Sequence, residues 1–183
     1  MPSSTRPAET ELPGATAPRW REECYATPFG VGRLVLAGDL PVRHSLPDPA
    51  APRSRREGAD RWCELLRRYF AGERFAFPFD AESFILYARM TAFEADVVRA
   101  LSRVPYGRTA SYRDLAVAAG RPHAYRAAAS VVARNELPVV LPCHRIVRSD
   151  GSLGEYGDDP AWKRRLLELE GVDVDAMPKE GRR

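Results

Sequence analysis

Pro142 sits in the middle of the apolar run Val139-Val140-Leu141-Pro142-Cys143-His144-Arg145-Ile146-Val147 and forbids the simplest structure for it. A proline has no N–H for a strand ladder and locks its own φ, so sheets tolerate it only at edges, bulges and breaks. The run is therefore read as strand-like but broken at Pro142. A thiol, a titratable ring and a permanent cation follow the break: Cys143, His144 and Arg145. In regular strand geometry Cys143 and His144 would point to opposite faces, and the ring would not lie against the sulfur. Either the chain turns after Pro142, or a water joins the two groups. On this pattern Cys143 keeps two readings. It is a nucleophile with His144 as its base, or it is a small buried apolar residue.

The chain has 183 residues, 44% of them hydrophobic, which suffices for one or two compact domains. No apolar stretch approaches the roughly 20 residues of a spanning helix, and the first 20 residues lack the apolar region of a signal peptide. A soluble cytoplasmic protein with no membrane attachment is expected. Cys24, Cys63 and Cys143 are widely separated, and His44, His123 and His144 show no ligand spacing. Neither a disulfide framework nor a metal site is expected, with a Cys24–His44 pair as the minor alternative. Charge is uneven: residues 99–148 hold nine arginines against Asp114 and Glu136, a net +7, which leaves −4 for the rest of a chain of net +3. Such a surface suits a polyanion, because neutralising phosphates releases counterions. A solvated face in an arginine-rich chain is the alternative.

The pattern predicts an α/β chain of two domains. Residues 1–20, rich in Pro, Ser, Thr and Ala, read as a disordered tail. Residues 21–90 read as a small N-terminal α/β domain. It holds a strand over 32–37, a tight turn at Gly38-Asp39, a returning strand over 40–46, a polar loop over 47–58 and an amphipathic helix over 59–71. Residues 73–90 carry aromatics with no readable period. Residues 91–171 read as a mostly helical domain. In it a helix over 92–103 is followed by a helix opened by the capping box Ser111-Tyr112-Arg113-Asp114. The turn Gly120-Arg121-Pro122 leads into a second helix over 123–134, a helix-turn-helix arrangement. The broken run around Pro142, a Gly/Asp-rich loop over 148–160 and a last helix over 162–170 complete it, and residues 172–183 are a tail.

The stretch Leu141-Pro142-Cys143-His144-Arg145-Ile146-Val147 closely resembles the active-site motif of the O6-alkylguanine-DNA alkyltransferases. The likeness extends to Phe93-Glu94-x-x-Val97, Pro105-Tyr106-Gly107-Arg108-Thr109-x-Ser111-Tyr112 and Gly120-Arg121-Pro122-x-Ala124-x-Arg126-Ala127. It continues through Arg134-Asn135, Gly151-Ser152-Leu153-Gly154-x-Tyr156 and Lys163 to Leu166-Leu167-x-x-Glu170-Gly171. Thr27-Pro28-Phe29-Gly30 matches the family's variable N-terminal domain more loosely.

The resemblance implies a suicide DNA-repair methyltransferase that needs no cofactor and acts once per molecule. The alkyl group of O6-alkylguanine, and of O4-alkylthymine, would pass irreversibly to Cys143. His144 would deprotonate Cys143 through a water, Glu170 would orient His144, and Asn135 would support the active-site turn. The target base must leave the stack. Arg126 would hold the vacated space, while Tyr112 would crowd the 3′ phosphate and donate to the guanine. Tyr156 would wall the pocket, the Cys143 and Ile146 carbonyls would accept from the guanine amine, and the Gly157 N–H would lie near O6. Ala127, Ala129 and Ser130, with Arg134, would face DNA, because a narrow minor groove admits a helix only if its side chains are small. The expected partner is double-stranded DNA carrying O6-alkylguanine. The expected state is a monomer, with cooperative binding along DNA left open. The run Gly157-Asp158-Asp159-Pro160 departs from the small residue and two glycines of many relatives, which changes the loop's stiffness and charge. An alkyltransferase-like lesion sensor, a plain helix-turn-helix regulator and a cysteine hydrolase are the competing classes. The acceptor Cys143 argues against the first, the His144–Glu170 pairing against the second, and no recognisable oxyanion hole supports the third.

Overall fold

A computed structural model describes residues 19–52, 58–154, 156–157 and 159–177. Its first part is an antiparallel sheet of β1 (Trp20–Thr27), β2 (Gly30–Ala37) and β3 (Leu40–Asp48), in that order. The expected hairpin is present: Ala37 faces Leu40 across a two-residue turn, and Gly38 supplies its left-handed φ of +62°. Strand β1 was not legible. Within it only Tyr25 is buried, because the strand lies at the sheet's edge and presents charged residues outward, leaving no alternation to read. It begins at Trp20, the last residue of the expected tail. Residues 1–18 of that tail, and 53–57 of the expected polar loop, lie outside the described residues.

Helix α1 (Arg61–Phe70) packs on this sheet. The Asp60 side chain accepts from Trp62 N, and the helix buries Trp62, Cys63, Leu66, Tyr69 and Phe70. The stretch without a readable period contains α2 (Ala81–Tyr87), whose two turns bury only Phe84 and Ile85. Helix α3 (Ala92–Ser102) opens with a capping box between Thr91 and Glu94. Helix α4 (Tyr112–Ala118) opens with the expected box between Ser111 and Asp114. Helix α5 (Tyr125–Ala133) packs against α4 after the predicted turn, and α6 (Ala161–Leu169) closes the fold. Two short strands, β4 (Ala110–Ser111) and β5 (Ile146–Val147), pair in parallel. One apolar core runs through both halves, from Tyr25 and Leu34 through Trp62 and Val97 to Leu141 and Leu166. A smaller cluster of Val147, Leu167 and Val174 ties down the start of the expected C-terminal tail, of which residues 178–183 lie outside the described residues. Among the described residues no helix is long and apolar enough to cross a membrane.

The run 139–147 is not the interrupted strand that its composition suggests. Val140 N bonds Pro138 O at 3.0 Å around Val139, which has φ +74°. This is a γ-turn of the rare, strained kind. Cys143 N bonds Leu141 O at 2.8 Å around Pro142 (φ −82°, ψ 61°), the common inverse γ-turn. A single 3-10 turn, Cys143–Arg145, follows, and only Ile146 and Val147 are extended. Burial of Val139, which is wholly enclosed, holds a conformation that costs a β-branched residue about 1–3 kcal/mol.

Strand β3 anchors this turn from the N-terminal side. His44 N donates to Glu136 O at 2.8 Å. The His44 ring Nδ1 donates to Pro138 O at 2.7 Å, and Nε2 accepts from the Tyr25 hydroxyl at 2.5 Å. Both ring nitrogens are thus committed, which removes His44 from the Cys24–His44 metal alternative. Burial holds the His44 ring neutral, its pKa lowered to about 4 although the bond to Pro138 opposes this. The unfolded chain binds this proton below its ordinary value near 6.5, while the folded chain refuses it until about 4. Stability therefore falls on acidification through that window, by roughly 3 kcal/mol from this group. Urea midpoints measured from pH 7 to pH 4 should show the slope, and His44→Phe should flatten it.

Candidate active site

Cys143 lies at the floor of a cleft of about 830 Å³. Of the sequence-predicted residues, the cleft brings together Cys143, Asn135, Tyr112, Arg126, Ala129, Tyr156 and Gly157. The sulfur is nearly enclosed, at 6% exposure for the residue. Asn135 Nδ2 donates to Cys143 Sγ at 2.9 Å and to Leu141 O at 2.9 Å, and its Oδ1 accepts from Leu137 N at 3.0 Å. One amide thereby staples the end of α5 to both sides of the γ-turns. The Tyr156 hydroxyl is 3.7 Å from the sulfur. Burial pushes the Cys143 thiol up, opposed by the bonds from Asn135 and Tyr156 and by the charge of Lys163. The resting residue is a thiol, so its deprotonation has to accompany a reaction.

Behind the floor, His144 and Glu170 are completely enclosed at the side chain. His144 Nε2 donates to Glu170 Oε1 at 2.8 Å. A carboxylate only accepts, so this bond assigns the proton to Nε2 and leaves the Nδ1 lone pair as the basic position. Nδ1 is buried and has no hydrogen-bond partner among the described residues. Burial lowers the His144 pKa, the Glu170 contact opposes that, and the charges of Arg145 and Lys163 add to the lowering. A neutral imidazole is therefore the resting state near neutrality.

Glu170 is the hub, placed as the C-terminal cap of α6. Its Oε1 also accepts from the Tyr69 hydroxyl at 2.7 Å and from Arg145 Nη2 at 2.9 Å. Its Oε2 accepts from Arg145 Nε at 3.0 Å and from Gly107 N at 2.9 Å. Gly107 sits at φ +69°, and a Cβ there would stand 2.9 Å from Glu170 O, so only glycine permits the approach. Burial pushes the Glu170 carboxyl up, yet the bonds from His144 and Arg145 hold it at about 2. Arg145 also donates to Val104 O at 2.6 Å and lies 5.8 Å from the Tyr106 ring centre. The cation after the histidine thus fixes the carboxylate that fixes the histidine.

Other predicted residues stand apart from the cleft floor. Ala127 and Ser130 are exposed along α5, and Ser130 Oγ donates to Arg126 O at 3.2 Å. Arg134 is exposed and pairs with Glu94 at 2.7 Å, so part of its charge is spent within the fold. Arg99, on Glu82 and Asp96, and Arg145 are likewise committed. Arg103, Arg108, Arg113, Arg121, Arg126 and Arg148 remain exposed. The guanidinium of Arg126 lies 5.5 Å from the Tyr125 ring centre. The Ile146 carbonyl already accepts from Lys163 Nζ at 2.5 Å, and the Cys143 carbonyl from Ile146 N, so each offers a guanine only its second lone pair. Asp158 lies outside the described residues. Asp159 accepts from Ala161 N at 2.9 Å and so opens α6.

Sequence reasoning missed Tyr69, Lys163, Arg148 and Tyr125 as site residues. Lys163 is 1% exposed and lines the cleft beside Tyr112 and Tyr156 at 6.0 Å from each ring centre. Burial lowers its pKa to about 8, with Cys143 opposing and Arg148 adding. A lysine facing inward from the apolar side of α6 was the available signal. Tyr69 had none, being one more aromatic on the buried face of α1.

The family model for the DNA-binding domain of 6-O-methylguanine DNA methyltransferase matches residues 92–172. The constitutive methylated-DNA–protein-cysteine methyltransferase of Bacillus subtilis is 41% identical over 110 residues, 60% of this chain and 64% of that protein. The match therefore spans a little under two thirds of that relative. It spans 23% of the Escherichia coli bifunctional transcriptional activator/DNA repair enzyme Ada, 48% identical over 82 residues. The methylated-DNA–protein-cysteine methyltransferase of Mycobacterium bovis is 40% identical over 127 residues, 69% of this chain and 70% of that protein. The solved structure of Mycobacterium tuberculosis OGT in complex with DNA superposes with a TM-score of 0.68 at 30% identity, covering 84% of this chain and 96% of that one. Sequence motif, fold and relatives agree: the chain belongs to the methylated-DNA–protein-cysteine methyltransferase family.

Proposed function

We propose that this chain repairs double-stranded DNA by moving the alkyl group of O6-alkylguanine, and of O4-alkylthymine, onto Cys143. The observation that carries the reading is a buried cysteine at the floor of a cleft with Arg126 and Tyr112 on its walls and a His144–Glu170 pair behind the thiol. The sulfur attacks the alkyl carbon as the carbon–O6 bond breaks. The thiol proton passes through a water to His144 Nδ1, and the released guanine takes a proton in turn. The product thioether is stable, so each molecule acts once. Glu170 is already saturated with donors and stays an anion; it stabilises the imidazolium without taking its proton. No cofactor takes part.

The target atom is hidden in the stack, so the nucleotide is flipped into the cleft. Exposed Ala127 and Ser130, with half-buried Ala129, give α5 the slim face that a minor groove admits. Arg126 fills the space left in the duplex. Because it is exposed, Arg126→Ala is expected to leave the unfolding midpoint unchanged and to weaken binding to lesion duplex about tenfold or more. Methyl transfer from the free base O6-methylguanine, which needs no flipping, should be untouched. Equal losses on duplex and free base would remove Arg126 from this role.

The function itself is tested by mixing the protein with duplex DNA carrying O6-methylguanine and weighing the Cys143 peptide. One methyl per molecule is expected on Cys143. Tight lesion binding with an unmodified peptide would make the chain a lesion sensor instead.

A further inference from the structure

We propose that Tyr69, from the N-terminal half of the chain, is a positioning residue of the alkyl-transfer site, acting on His144 through Glu170. The inference rests on the function proposed above. Tyr69 is 0% exposed, and its hydroxyl lies between the two relay groups. It donates to Glu170 Oε1 at 2.7 Å, the same oxygen that accepts from His144 Nε2 at 2.8 Å, and it stands 3.3 Å from that nitrogen. Since the hydroxyl proton points to the carboxylate, the phenol oxygen can only accept from His144. Both neighbours of Nε2 therefore require a proton there, which reserves Nδ1 as the base.

The second consequence is electrostatic. Each donor on Oε1 disperses the carboxylate charge that His144 feels. The groups acting on the ring are Glu170 and Lys163 from α6 and its end, Arg145 from its own turn, and Tyr69 from α1. Glu170 favours the imidazolium; Arg145 and Lys163 disfavour it. By taking part of the Glu170 charge, Tyr69 acts with Arg145 and keeps His144 neutral, hence able to accept the thiol proton. The ring itself is held by packing, edge-on to Phe70 at 5.3 Å and against Phe77 at 5.7 Å, so Phe at 69 keeps the aromatic contacts and loses only the hydroxyl. This also gives the N-terminal half a task in the chemistry, since α1 rides on the β1–β3 sheet.

The test is Tyr69→Phe, read by NMR titration of the His144 ring and by the pH profile of methyl transfer. The His144 pKa is expected to rise by about half a unit or more, with His44 unmoved. Transfer needs neutral His144, so its acid limb should move to higher pH by the same amount while lesion-duplex affinity stays that of the wild type. A His144 titration identical to the wild type overturns the proposal, as does a uniform loss of rate with an unmoved limb. Should Tyr69→Phe not fold, the wild type still decides. Its Tyr69 hydroxyl proton should appear as a slowly exchanging resonance close to the His144 ring, and a rapidly exchanging one overturns the proposal. If the wild type transfers no methyl, the functional reading fails, and the ring titration alone judges Tyr69.

Discussion

Glu170→Gln is expected to destabilise the fold by about 3–5 kcal/mol, the range for removing one partner of a buried ion pair. The reason is Arg145, 7% exposed and held to both oxygens of the carboxylate. A neutral amide leaves that guanidinium buried without its counter-charge, and turns an NH₂ group toward donors from Tyr69, His144 or Gly107. Urea unfolding measures the loss, and an unchanged midpoint would refute the hub. The pH dependence carries a sign. Glu170 is depressed to about 2 from an ordinary 4.5, so its stabilisation is complete above the higher value and is lost as pH falls through the lower. That acid limb should be missing in the variant. Transfer should also slow by about two orders of magnitude, as expected when a general base loses its orienting group.

The second large effect is Cys143→Ala, which should bind lesion duplex as the wild type does and accept no methyl at all. The residue is buried, and alanine removes a single sulfur from a well-packed floor, costing about 1–2 kcal/mol. Asn135 keeps its bond to Leu141 O and its bond from Leu137 N, so the turn persists. Cys63 does not substitute. It is wholly buried on the inner face of α1, and burial first, then the charge of Glu23, pushes its pKa up to about 12. Peptide mass spectra after exposure to O6-methylguanine duplex decide the matter. A methyl on Cys24 or Cys63, or undiminished transfer, would sink the assignment of Cys143.

Local chemistry made much of the helical half legible. The Ser111–Asp114 box, the Gly120-Arg121-Pro122 turn and the apolar period of residues 92–103 each act within a few residues, and all lie where the sequence puts them. Strand β1 and α2 escaped because one fully buries a single side chain and the other buries two. The cysteine, histidine and arginine after Pro142 were legible as chemistry, and a turn after Pro142 was one of the two geometries left open, but the apolar flank before it was read as strand. A run rich in β-branched residues suggests a strand, whereas burial of Val139 at positive φ and the Asn135 staple force two γ-turns.

What the sequence determined by itself was the set of reactive groups and the short-range elements that carry them, because propensity, capping and proline geometry are properties of neighbouring residues. What only the tertiary structure decided was which groups share a proton. Tyr69, His144, Arg145 and Glu170 come from α1, the 3-10 turn and the end of α6, as much as 101 residues apart, and they meet around one carboxylate. Neither that meeting nor the commitment of Arg145 to Glu170 in place of solvent or phosphate is visible in any local pattern. Both follow from closing one apolar core over the two halves, which removes water from these groups and leaves them only each other as partners.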